Sequence, residues 1–335
     1  MTTTSVTASS TRPSRLGRLF SRRNIGQFGI VFVVLAMLLV FALVSDRFVG
    51  VFFHPNNLAN VGRQTTLLLI TAFAMTFIIL IGEIDISIGA IGSIACVMIA
   101  VLLRQDVPFP IAMVTGILTG TLCGLVNGLI TVLGKIPSFI VTLGTLSMIR
   151  GLALAITNAS TITFRDNTYR RIFARANPLE IPAPVWFAAG IFIVLFFVLT
   201  RTRFGANIYA VGGSETSARL AGIAVRRVKI VVFTLAGAVT SLAAIVYTAR
   251  LGNGQPEGMI GFELDAIAAV VIGGTSFVGG RGSLARTVLG ALLIGILNNA
   301  LTLMNVTYTL QLVTKGMVII VAVLIDTWTR TGSQS

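Results

Sequence analysis

The chain of 335 residues is 55% apolar and only 11% charged, with a mean hydropathy of +0.93. This excludes an ordinary soluble domain and marks a polytopic membrane protein whose outer surface is solvated by lipid. A net charge of +14 would suggest nucleic acid in a soluble protein. Here the basic residues flank apolar runs, where they set topology and meet anionic lipid headgroups, so no nucleic acid partner is expected.

Residues 1–24 are rich in Thr and Ser and carry Arg12, Arg15, Arg18, Arg22 and Arg23, the composition of a disordered basic tail held in the cytoplasm. The apolar run 27–44 is long for a signal-peptide core and no clear A-x-A site follows it, so it counts as a retained first span. Further apolar windows fall at 65–81, 88–103, 111–133, 138–156, 185–200, 230–247, 266–278, 284–304 and 310–327. The expected architecture is an all-α polytopic membrane protein of about ten transmembrane helices. These form a single transmembrane domain over 25–330, with the N- and C-termini cytoplasmic. In that topology 15 of the 25 Lys and Arg lie inside and 8 outside, as the positive-inside rule requires. Half of the outer ones, Arg165, Arg170, Arg171 and Arg175, crowd into one loop, 157–184, against the local rule.

The first polar interruption, Gly82-Glu83-Ile84-Asp85-Ile86-Ser87-Ile88-Gly89, admits two readings. One is a tight hairpin at the membrane surface, capped by Asp85 or Ser87. The other is a broken helix lining a polar path, for which a centred Asp costs about 2.5 to 3.5 kcal/mol on insertion scales. Asn127 sits inside an apolar run, as do Asn298 and Asn299, where amides bond between helices or line a path for a hydroxylated solute. Arg150 and Lys315 also fall within spans, where they either pair with carboxylates or snorkel, snorkelling being the more ordinary fate.

The interval 201–229 holds six basic residues, Arg201, Arg203, Arg219, Arg226, Arg227 and Lys229, against one acid, Glu215, and belongs inside. Gly212 and Gly213 form a hinge, Ser214 is an N-cap with Glu215 in the first turn, and Gly222 ends the short helix. A helix of about two turns is marginal alone in water, so it packs on its own protein or is offered to another.

In the second half Gly261-Phe262-Glu263-Leu264-Asp265 repeats the Glu-x-Asp choice. On a helix Glu263 and Asp265 point apart, which disfavours a shared-proton pair and leaves Asp265 as a cap for the next span. The stretch 273–283 is too Gly-rich for a continuous helix and reads as the unwound end of a span. No phosphate loop of the G-x-x-x-x-G-K-[ST] kind occurs, so ATP hydrolysis by this chain is not expected. The single His54 in a loop, with Cys96 and Cys123 in apolar runs, supports neither an enzyme, a metal site nor a cofactor. Gly124-Leu-Val-Asn127 resembles Gly295-Ile-Leu-Asn298, and Glu83-Ile-Asp85 resembles Glu263-Leu-Asp265. With the expected topology these copies run in opposite directions, the pattern of an inverted repeat of spans 2–5 and 7–10.

Taken together, 82–89, Pro137-Ser-Phe-Ile-Val-Thr-Leu-Gly144 with Arg150-Gly151, the stretch from Thr202-Arg-Phe-Gly205 to Gly222-Ile223, and Gly261-Phe-Glu-Leu-Asp-Ala-Ile-Ala268 with 273–280 resemble the permease subunits of bacterial ABC sugar importers, the ribose, xylose and galactose group. Glu83 departs from that family, which usually has a second Gly there. The resemblance implies a homodimer in the cytoplasmic (inner) membrane, two cytoplasmic ATPase subunits, a periplasmic or extracellular solute-binding protein and a small sugar such as a pentose or hexose. It implies that Ser214, Glu215, Thr216, Ser217, Ala218, Arg219, Leu220, Ala221 and Gly222 form the helix the ATPase receives, with Ala218 and Ala221 as a small-residue docking face. Arg165, Arg170, Arg171 and Arg175 are then candidates for meeting the binding protein, and Asp85, Ser87, Asn127, Glu263, Asp265, Asn298 and Asn299 for the path. The rival is an ion- or proton-coupled secondary transporter using Asp85 or Asp265, which an inverted repeat fits equally well.

Overall fold

The computed structural model describes residues 48–307 and 309–317, with 39 and 320 besides. Apart from residues 39 and 320, the basic tail, the first span at 27–44 and the second half of the last at 310–327 lie outside the described residues. A short helix α1 (Phe48–Phe52) leads to His54, whose Nδ1 accepts the amide of Asn56 at 3.3 Å and so caps α2 (Pro55–Leu80). Pro55 takes the first helical position, where its missing N–H is of no consequence. Next come α3 (Ile88–Arg104), α4 (Phe109–Gly134) and α5 (Ser138–Thr157). A connecting segment with β1 (Ile162–Thr163), α6 (Asn167–Arg170) and a wide turn at Arg171–Arg175 reaches α7 (Ala183–Arg201). Then follow α8 (Arg203–Gly213), α9 (Glu215–Leu220), α10 (Val225–Leu251), β2 (Asn253–Gly254), α11 (Phe262–Ile272) and α12 (Leu284–Leu303).

Among the described residues six helices, α2, α4, α5, α7, α10 and α12, are long and apolar enough to cross a membrane. Two of the expected spans are shorter. α3 has 17 residues, and α11 has 11, ending at Ile272 where a span to 278 was expected. Beyond it Gly274, Gly279 and Gly280 take positive φ, and the backbone is non-helical to Ser283.

The packing inverts the order of a soluble protein. On α4 Ile111, Val114, Leu118, Leu122 and Val126 are exposed, the lipid-facing stripe, while Ala112, Gly116, Gly120, Gly124, Asn127 and Thr131 are buried. Lipid tails are as apolar as leucine, so close backbone approach takes over from hydrophobic burial as the packing force. Gly124 and Gly128 meet α10 at Gly237 and Ile230, where an added Cβ would lie 3.2 Å from the Cα of Gly237 and 3.0 Å from that of Ile230.

Connections gather at two opposite ends. At one, Glu83 meets Lys229, the amide of Gly280 donates to Leu80 (2.9 Å) and that of Ile84 to Ser138 Oγ (3.2 Å). At the other, β1 pairs antiparallel with β2, Arg63 donates to Asn177 and Arg150 pairs with Glu257. Successive helices from α2 to α12 thus pass back and forth between the two ends. The neighbours also correspond: α2 packs on α12 as α10 packs on α4, α3 on α4 as α11 on α12, and α2 on α11 as α10 on α3.

Candidate functional site

Two helices begin inside the bundle after a stretch of unwound chain. α2 ends at Leu80, and Gly82 turns the chain at φ +76°, with the carbonyl of Val278 only 3.1 Å from where a Cβ would stand. The segment then runs non-helical to Ser87. Asp85 Oδ1 accepts both the amide (2.8 Å) and the hydroxyl (2.6 Å) of Ser87, and Asn127 Nδ2 donates to Ser87 Oγ at 2.8 Å. All three side chains are buried. α5 satisfies amides that the break leaves open, through Ser138 Oγ to Ile84 and Thr142 Oγ1 to Ile86 (3.3 Å). Asn127 lies seven residues before the end of α4, so at 1.5 Å per residue the cluster sits about 10 Å in from that end. The segment is a turn from α2 back into α3 whose Asp85 and Ser87 are buried while Gly82 is exposed, so the hairpin is seated partly inside the bundle rather than flat on its surface.

The second break enters from the other end. α10 stops at Gly252 (φ +71°), and the chain passes back along α3, with Gly254 against Cys96 and Ala100 and the amide of Met259 bonded to Ser93 Oγ at 3.0 Å. Gly261 at φ +94° opens α11. Glu263 folds back so that both its oxygens accept the Gly261 amide (3.0 Å). Its carboxylate rests on Gly89, where a Cβ would also lie 2.6 Å from the Met259 carbonyl. The N-termini of α3 and α11 thus meet, each carrying an acid, Asp85 and Glu263, where the helix dipole favours negative charge.

Glu263 and Asp265 do diverge, but Asp265 is not the cap. The cap is Gly261, which has no side chain, and Asp265 pairs instead with Lys315 at 2.8 Å. Asp265, Lys315, Asn298, Thr65, Tyr247 and Phe262 line a cavity of about 480 Å³. Thr65 Oγ1 and Asn298 Oδ1 are buried there without a partner among the described residues. Asn299 faces the other way: its amide and that of Asn57 exchange two hydrogen bonds of 3.0 Å. The expected path residues therefore form two groups, Asp85, Ser87 and Asn127 at one break and Asp265 and Asn298 at the other, with Glu263 between them and Asn299 outside. Of the two fates open to Lys315 and Arg150, pairing is the one the structure displays. Each has a carboxylate within reach, Asp265 and Glu257, and pairing holds the cation where it lies.

On the α9 side, Ser214 Oγ accepts the amide of Ser217 at 3.2 Å and caps the helix as expected. Gly222 (φ +80°) closes it, its amide bonding to Arg219 and that of Ile223 to Ala218, both at 3.0 Å, a Schellman ending. Ala218 is buried against its own chain, which removes it from the expected docking face. Glu215, Thr216, Ser217, Arg219 and Ala221 are exposed, and Leu220 is 86% exposed. Glu215 accepts from Arg219 (3.1 Å) and Lys229 (2.8 Å), and the Lys229 bond above all holds its carboxyl below the usual glutamate range.

At the opposite end Arg165, Arg171 and Arg175 are exposed. Arg170 is half-buried, its guanidinium beside Gly252 and its Nε within 3.4 Å of the Ala249 carbonyl at the end of α10. A helix C-terminus attracts a cation, so this arginine is occupied by its own chain and leaves the expected docking group.

Long apolar helices, two facing helix breaks and a short exposed helix at one end define a multi-pass membrane permease. The chain belongs to the family described as branched-chain amino acid transport system / permease component, whose profile matches residues 57–323. It is 39% identical over 302 residues to the ribose import permease protein RbsC of Haemophilus influenzae, covering 89% of this chain and 93% of that protein. It is 42% identical over 276 residues to RbsC of Bacillus subtilis (82% and 86%), and 37% identical over 301 residues to the D-allose transport system permease protein AlsC of Escherichia coli (90% and 91%). No solved structure matches it.

Proposed function

We infer that this chain is the membrane-spanning permease subunit of an ATP-binding-cassette importer for a monosaccharide, a multi-pass protein of the bacterial inner membrane. Its relatives named as ribose and D-allose permeases align over more than four fifths of the chain, and this observation carries the reading. ATP is hydrolysed on partner ATPase subunits, and a solute-binding protein delivers the sugar. The coupling helix is the segment from Ser214 to Gly222, with Leu220 as its apolar contact and Thr216, Ser217 and Ala221 around it. Arg165, Arg171 and Arg175 receive acidic groups of the binding protein.

The matching neighbours of α2–α4 and α10–α12 support an inverted repeat. In it Asp85 with Asn127 corresponds to Asp265 with Asn298, the first pair sealed and the second open to the 480 Å³ cavity. Alternating access exchanges which of the two is open. A second copy completes the path along α5, whose Gly144, Ser147 and Gly151 are exposed beside the half-exposed Arg150–Glu257 pair. Arg150 stands seven residues before the end of α5, about 10 Å in, where an ion pair facing lipid is expensive. The test is Leu220→Asp. It should release the ATPase during co-purification while leaving the unfolding midpoint of the permease unchanged; a stable complex with normal uptake contradicts the assignment.

A further inference from the structure

The carboxylate of Glu83 is 2.7 Å from the ammonium of Lys229. The same ammonium is 2.8 Å from Glu215 on α9. Among the described ion pairs Lys229 is the one cation shared by two acids, and the acids belong to different machinery. Glu215 opens the exposed helix assigned to the ATPase. Glu83 lies in the unwound segment, two residues before the buried Asp85 that holds Ser87 and, through it, Asn127.

We propose that Lys229 is a positioning residue that clasps the coupling helix to the first helix break, so that movement of the helix is passed to the Asp85, Ser87 and Asn127 cluster. The inference rests on the import reading above and adds the route by which force reaches the path. Three features make the clasp fit this task. The Lys229 and Glu83 side chains are 16% and 14% exposed, against 44% for Glu215, so solvent screens the inner contact far less than the outer one. α9 is bounded by exposed Gly213 and by Gly222 at positive φ, two points about which six residues can swing. A cleft of about 480 Å³ lined by Glu83, Thr131, Lys135, Glu215, Arg226 and Lys229 leaves room for that swing.

When α9 shifts with the ATPase, Glu215 leaves or approaches Lys229, and the lysine is taken up by or shared away from Glu83. Because Ile84 is bonded to Ser138 and Thr142 of α5, a displacement of Glu83 strains the neighbouring contacts that keep Asp85 sealed. The clasp thus gives the sealed break two arrangements, as a switch requires.

The experiment uses the assembled importer in proteoliposomes and compares wild type, Lys229→Met, Lys229→Arg, Glu83→Gln and the Glu83→Gln/Lys229→Met double variant. The readouts are ATPase co-purification, ATP hydrolysis and sugar taken up per ATP hydrolysed. Lys229→Met is expected to keep the ATPase and its hydrolysis while uptake per ATP falls at least tenfold. Glu83→Gln should fall similarly, the double variant should be no worse than Lys229→Met, and Lys229→Arg should restore most of the ratio. Unchanged uptake per ATP in Lys229→Met overturns the clasp. So does loss of the ATPase in both Lys229→Met and Glu83→Gln, which would make the triad part of the docking surface. If Lys229→Met does not assemble, Glu83→Gln alone decides on the same ratio. Absence of ATP-driven uptake by the wild type is a separate result, which defeats the import reading itself.

Discussion

Gly89 is where the two half-helices touch, and Gly89→Ala tests whether their contact is real. The added methyl would overlap the Glu263 carboxylate and stand 2.6 Å from the Met259 carbonyl. Ordinary contact is about 3.4 Å or more, so the Met259 carbonyl must withdraw by about 0.8 Å and the Glu263 carboxylate must also move off the Gly261 amide. Overpacking of this kind costs about 1 to 3 kcal/mol. The same change at a free helical position stabilises by up to about 1 kcal/mol. Gly190 on α7 has nothing within 4 Å of its absent Cβ and is the internal control. Denaturant unfolding of the purified permease in detergent, followed by tryptophan fluorescence, should give Gly190→Ala at or slightly above wild type and Gly89→Ala below it. Equal midpoints for Gly89→Ala and Gly190→Ala would refute the facing of α3 and α11.

Other consequences follow from the same contacts. Lys315→Met strands the half-buried Asp265 and should destabilise by about 1 to 3 kcal/mol, most of it recovered in the Asp265→Asn/Lys315→Met double variant; no loss in the single variant contradicts the pair. Asn127→Ala removes the donor to Ser87 and should slow uptake at least tenfold with ATP hydrolysis retained, measured in proteoliposomes; normal uptake places the inner cluster off the path. Glu215 has its carboxyl lowered in the fold, so its stabilisation is complete above the ordinary value of 4.5 and is lost only as pH falls below it. A fluorophore on Ala221→Cys should therefore report a static α9 down to about pH 5; a transition above that contradicts the Lys229 bond. Reversing Arg165, Arg171 and Arg175 together to Glu should weaken capture of the binding protein, measured by surface-immobilised permease, whereas Arg170→Glu should instead lower the unfolding midpoint.

Local chemistry made part of this legible from the chain alone. Ser214 and Gly222 act on backbone within four residues, so the ends of α9 could be placed, and the clustered glycines at 273–280 announced an unwound stretch. That Arg150 and Lys315 could pair with carboxylates was legible, but which carboxylate each takes depends on partners far along the chain. Asp265 finds Lys315 fifty residues on, Arg150 finds Glu257 more than a hundred on, and a window of hydropathy registers neither. Ala218 looked like a free small face because its cover is the protein's own fold. The 82–89 segment was ambiguous for the same reason: a hairpin flat on the surface and one seated partly inside the bundle share one sequence, and only the seats of Asn127, Ser138 and Thr142 decide between them.

The proposed import requires a partner ATPase, and reconstitution tests that requirement directly. Purified permease is reconstituted in liposomes either alone, with sodium or pH gradients imposed, or with its ATPase and binding protein and enclosed ATP, and uptake of labelled ribose and allose is followed. Uptake is expected only in the complete, ATP-loaded assembly, whereas gradient-driven accumulation by the permease alone defeats the import reading.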